Sequence, residues 1–124
     1  MKKSKFNIRK LLFILIVILA IILIFTFIDY YIHSLNKEYS VPSYYFRNKI
    51  IFGTIIGFIV YLILGKVKKT LYKSLMFSAI ISVLLQTRYY LEGYPKEFVF
   101  EFLIIHFLIL FPISFIIFYT IKKK

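Results

Sequence analysis

Four apolar runs, each flanked on at least one side by lysine or arginine, leave this chain of 124 residues few ways to fold. The first, Leu11 to Ile28, holds 18 residues without a charge. As a helix it is about 27 Å long, close to the roughly 30 Å hydrocarbon thickness of a bilayer. The second, Ile50 to Gly65, lies between Lys49 and Lys66, whose stems can carry their ammonium groups to the headgroups. The fourth, Phe102 to Ile121, is closed by Lys122, Lys123 and Lys124. The third is the weakest, with only 14 uncharged residues between Lys73 and Arg88, among them Ser74, Ser78, Ser82, Gln86 and Thr87. A run that short also suits a re-entrant segment. Charge decides for a crossing, because without it the Lys122–Lys124 tail would face away from the other lysine-rich segments. The expected fold is an all-α membrane protein, a compact single-domain bundle of four transmembrane helices at about 11–28, 49–65, 70–90 and 98–121.

Charge distribution also orients the bundle. Five basic residues precede the first run (Lys2, Lys3, Lys5, Arg9 and Lys10), four lie in 66–73 and three end the chain, with no acid among them. The opposite face carries Lys37, Arg47, Lys49, Arg88 and Lys96 against Asp29, Glu38, Glu92, Glu97 and Glu101. The whole net charge of +12 thus falls on one side, which the positive-inside rule makes cytoplasmic, with both termini inside and the plasma membrane as the location. Basic residues dispersed as short flanks are membrane anchors, which removes nucleic acid as a partner. The first run is too long for a signal-peptide core of about 7–15 residues and no small-x-small site follows it, so it reads as a retained helix. With 61% hydrophobic residues the chain is too apolar for a soluble domain. It has no cysteine, which excludes disulfides, thiolate chemistry and Cys-ligated metal sites. Eight of its eleven tyrosines (Tyr30, Tyr31, Tyr39, Tyr44, Tyr45, Tyr89, Tyr90 and Tyr94) fall at the acid-bearing face, as an aromatic belt does.

Two faces of small residues stand out. Gly53, Gly57, Tyr61 and Gly65 are spaced by four, as are Ser74, Ser78, Ser82 and Gln86, and residues four apart share a helix face. In lipid, small-residue faces are packing faces. Gly53, Gly57, Gly65, Ser74, Ser78 and Ser82 are therefore expected to pack the second helix on the third, or to mediate dimerisation.

The candidate site is a polar cluster of the acid-bearing half: Asp29, His33, Gln86, Arg88, Glu97, Glu101 and His106. Asp29 and His33 share a face if the first helix runs past the interface, and carboxylate with imidazole suits a metal or acid–base chemistry. Two ligands fall short of the three that catalytic zinc sites use, so neither a metal nor any other cofactor is expected. The bland reading of this pair is a solvated helix end. Arg88 is placed to reach Glu97 or Glu101 across a short loop, and a paired intramembrane charge marks function by default. His106, the deepest ionisable group, suits interhelical hydrogen bonding or proton relay, and lies about 140° around the helix from Glu101. Pro112 frees the carbonyl of Leu108, which produces a kink unless neighbours intervene.

Three functions follow from this pattern. The leading expectation is a non-enzymatic accessory, assembly or immunity-type protein acting through helix packing, with the lipid bilayer, a second copy or a larger membrane protein as partner. A small oligomeric transporter or channel is the alternative. Its four spans resemble the size class of the small multidrug-resistance transporters, whose hallmark glutamate within the first helix has no counterpart in 11–28. The last is a membrane-embedded enzyme with an outer-face site built from Asp29, His33, Arg88, Glu97, Glu101 or His106. No phosphate loop, nucleophile elbow or zinc-helix signature supports a particular reaction.

Overall fold

A computed structural model describes residues 7–35, 37 and 40–123. Lys2, Lys3, Lys5, Glu38, Tyr39 and Lys124 lie outside the described residues. The chain forms four α-helices: α1 (Ile8–His33), α2 (Tyr44–Ile63), α3 (Thr70–Leu91) and α4 (Lys96–Lys123). A 3-10 turn at Leu64–Lys66 follows α2, and no strand occurs among the described residues. All four helices are long and apolar enough to cross a membrane.

α1, α3 and α4 outrun the charge-free cores that announced them, whereas α2 starts early, at Tyr44, and stops at Ile63, leaving Gly65 of the expected 49–65 span in the 3-10 turn. α1 continues through Asp29 to His33, five residues beyond Ile28. The third element is a full helix of 22 residues, about 33 Å long and sufficient to span. The polar residues Ser74, Ser78, Ser82, Gln86 and Thr87 lie inside it without breaking the helix.

Local chemistry sets the boundaries. The side chain of Asn7 caps α1 by accepting from the Lys10 backbone N–H at 3.2 Å, satisfying one of the unpaired donors of the first turn. Gly93 ends α3 with φ +90°, a left-handed conformation that costs glycine little. Around it, the Tyr94 amide donates to the Tyr89 carbonyl and the Gly93 amide to that of Tyr90, closing a Schellman turn. Pro95 then leads into α4, where Glu97 occupies the first turn and complements the helix dipole. α4 continues through Pro112.

Neighbours in sequence are neighbours in space, and α1 closes the ring against α4. Each helix buries one stripe. On α1 it is Ile14, Ile18, Ile21, Ile22, Phe25, Thr26, Asp29 and His33. On α4 it is Phe98, Phe102, His106, Leu110, Ser114 and Phe118, each four residues after the last and so on one face. The outward faces are rich in exposed Leu, Ile and Phe, the inverse of a water-soluble bundle.

The glycine face packs on α1 and, at Gly57, also meets α3: a Cβ on Gly57 would lie 2.8 Å from Ile18 Cγ2 and 3.5 Å from both Ile81 Cδ1 and Phe77 Cζ, and one on Gly53 would lie 3.3 Å from Ile22 Cγ2. Isoleucine side chains therefore fill the space that these glycines leave. Gly65 lies in the exposed 3-10 turn, where an added Cβ meets nothing within 4 Å, so it packs nothing. Ser74, Ser78 and Ser82 are buried, and α3 makes its broadest contact with α4.

Candidate functional site

The stripe of α1 carries its periodicity past the apolar run, which turns Asp29 and His33 inward. Asp29 is 0% exposed and His33 3%, so the pair is a core feature and not a solvated helix end. α2 contributes Lys49, one turn before Gly53 on the same face, with its ammonium donating to Asp29 Oδ2. This corrects the expectation that Lys49 snorkels to the surface: it is 5% exposed. A lone carboxylate at this depth is strongly unfavourable, and a hydrogen-bonded cation compensates it. α4 adds His106, whose Nε2 lies 3.0 Å from Asp29 Oδ1 and 3.5 Å from the Lys49 ammonium. The position against a carboxylate oxygen makes Nε2–H the donor. α3 completes the set, since Tyr89 Oη and His33 Nε2 share a hydrogen bond at 3.2 Å, with His33 Nε2 at 3.5 Å from Asp29 Oδ2.

All four helices thus meet at one buried polar cluster. Aromatic rings enclose it: Phe102 stacks on His33 at 4.2 Å, Phe25 sets its edge against His106 at 5.2 Å, and the Tyr89 ring centroid lies 5.1 Å from the Lys49 ammonium. Enclosure by rings lowers the local dielectric, which strengthens each polar contact and raises the cost of losing one.

Asp29, His33 and His106 offer ligand atoms within 4.8 Å of one another, a spacing that suits a cation. The cation at Asp29 in this arrangement is the Lys49 ammonium. A divalent ion would have to share the carboxylate with that ammonium, and like charges so close repel strongly. The donor set is therefore built around lysine.

The remaining expected site residues divide. Gln86 is buried and its Nε2 donates to the Val99 carbonyl of α4 at 2.7 Å, which ties α3 to α4. Arg88 pairs with Glu92, four residues along its own helix, at 3.4 Å. It does not reach Glu97 or Glu101, and both glutamates are exposed. Glu92 in turn accepts from the Tyr45 hydroxyl, and Tyr45 stacks on Tyr89 at 5.4 Å. Nothing in the sequence singles out Lys49, Tyr45 and Tyr89 as site residues. The one available signal is the spacing of four that places Tyr45 and Lys49 on the Gly53–Gly57 face.

A cleft of about 310 Å³ adjoins the cluster between α2 and α3. Tyr45, Asn48, Lys49, Arg88 and Tyr89 line one end, while Phe52, Ile56, Leu84 and Leu85 line the other. Lys49 therefore belongs to both the cleft wall and the buried cluster. No protein family, curated protein or solved structure matches the chain.

Proposed function

We propose that this is a multi-pass protein of the plasma membrane, with both termini in the cytoplasm, that binds an anionic amphiphile from the outer leaflet. The ligand is an acyl chain bearing a carboxylate or phosphate head, and its site is the cleft between α2 and α3. The observation that carries this reading is the double placement of Lys49, which lines the cleft and bonds to Asp29.

The chemistry of the walls supports the ligand class. Two cations, Lys49 and Arg88, lie at the polar end, whereas the acids that balance them, Asp29 and Glu92, are not among the lining residues. Apolar side chains continue from that end into the bundle, as an acyl chain requires. Buried ionisable groups in a membrane bundle are costly and mark function, which favours a site over a purely structural polar core. Orientation rests on the lysines of the opposite end.

The fluorescent fatty acid cis-parinaric acid tests this reading on protein in detergent micelles. Saturable binding is expected, weakened at least about tenfold, or about 1.4 kcal/mol, by Leu85→Trp, which fills the cleft, and by Arg88→Gln. The methyl ester should bind more weakly than the acid by a similar factor. Equal affinity for acid and ester, or no effect of Leu85→Trp, would overturn it.

A further inference from the structure

A second polar track leaves the buried cluster toward the lysine-rich end. Five side-chain atoms along it are buried and find no hydrogen-bond partner among the described residues: His106 Nδ1, Thr26 Oγ1, Ser78 Oγ, Ser82 Oγ and Ser114 Oγ. They come from α1, α3 and α4, so no single small-residue face accounts for them. A helical hydroxyl can bond to the carbonyl one turn back, as Ser74 does to Thr70 at 2.7 Å and Thr120 to Ile116 at 2.8 Å. Ser78, Ser82 and Ser114 make no such bond. An imidazole Nδ1 whose Nε2–H serves Asp29 is a bare acceptor and needs a donor.

The packing orders these groups by height. Phe77 meets Phe118 at 5.1 Å and Gln86 reaches the Val99 carbonyl, so α3 and α4 run antiparallel. Ser114, one turn from Phe118 toward the acid-bearing end, falls at the height of Ser78 to Ser82. On α1, Phe25 touches His106, which sets Thr26 just below the cluster. Ser78 and Ser82, four residues apart, are separated by about 6 Å along the axis, with Ser114 at their height. The track ends at Ser74 and Thr70, and Thr70 lines a cleft of about 450 Å³ at the lysine-rich end with Lys73 and Lys122. Buried polar groups without protein partners are paired by water in native proteins, and such water commonly forms two to four hydrogen bonds.

We propose that a single file of water threads the core along Ser78, Ser82, Ser114 and Thr26, joining the lysine-rich cleft to His106 Nδ1 and giving the buried cluster water access from that end, with a water of the file donating to Nδ1 while Nε2–H keeps its bond to Asp29. Lys49 from α2, Tyr89 from α3 and His33 from α1 are the other titratable groups facing this centre. The inference goes beyond amphiphile binding and holds with the α2–α3 cleft empty or filled, so the two fail separately.

Single cysteines test it, because the chain has none of its own. Silver ion is about the size of water and reacts with thiolate, which forms beside water and not in a dry apolar contact. Ser78→Cys, Ser82→Cys and Ser114→Cys, each nearly isosteric, are expected to react with silver ion within about tenfold of the loop variant Lys68→Cys. Ile18→Cys and Ile22→Cys, on the face packed against the glycines, should react at least about a hundredfold more slowly. Adding Ser78→Val to Ser82→Cys should slow silver at position 82 at least about tenfold without changing Lys68→Cys. Serine positions as inert as the isoleucine positions, or a Ser78→Val substitution without effect, would overturn the water file.

Discussion

A carboxylate held at the depth of Asp29 needs a counter-charge within hydrogen-bond reach, and Lys49 supplies it from another helix. Removing one member of such a pair leaves an unpaired buried charge, typically worth about 3–5 kcal/mol, whereas removing both does not. Lys49→Met should therefore lower thermal stability in detergent sharply, and the double variant Asp29→Asn with Lys49→Met should recover most of that loss. Thermal unfolding of both single variants and the double completes the cycle. Additive losses would show that the two side chains do not act as a pair. At this scale the sequence is half legible. Asp29 and His33 announce a shared face by their spacing, and His106 stands out by its depth. Lys49 looks like every other flanking lysine, because nothing local distinguishes a lysine that snorkels outward from one that turns in. Loop length points Arg88 toward Glu97 or Glu101, and Glu92 on its own helix, already one turn away, takes it instead.

Between helices, glycine has meaning through what approaches it. The close contact of Gly57 with Ile18 leaves no room for a methyl group, and overpacking of this kind typically costs about 1–3 kcal/mol. Gly57→Ala is expected to destabilise by that amount, while Gly65→Ala, in open space, should stay within about 0.5 kcal/mol of the parent. Comparison of melting temperatures under one detergent condition checks both. If the two variants melted alike, the α1–α2 contact would not be the close one described. A spacing of four is enough to identify both small-residue faces in the sequence. It does not identify their targets, since periodicity defines a face and not the element that covers it. Gly53 meets α1, Gly57 meets both α1 and α3, and α3 finds its broadest contact on α4.

For the whole molecule, the separation of charge underlies the proposed orientation. The 66–73 segment carries four lysines and no acid, and the five acids all fall toward the opposite end. An impermeant maleimide added to intact cells should label Ser40→Cys and leave Lys68→Cys untouched until the membrane is opened. Labelling of Lys68→Cys in sealed cells would reverse the orientation and with it the outer-leaflet reading of the cleft. Helix number, approximate spans and the end that gathers the acids are written in one dimension. A bilayer imposes a length on each apolar run, and backbone hydrogen bonding in lipid leaves helices as the way to satisfy it. Which charges turn inward, which helices share the glycines and which hydroxyls line the core depend on side chains far apart in the chain. Asp29 and His106 are 77 residues apart and Tyr89 and His33 are 56 apart, and only the packing of four helices around one axis places them in a single cluster.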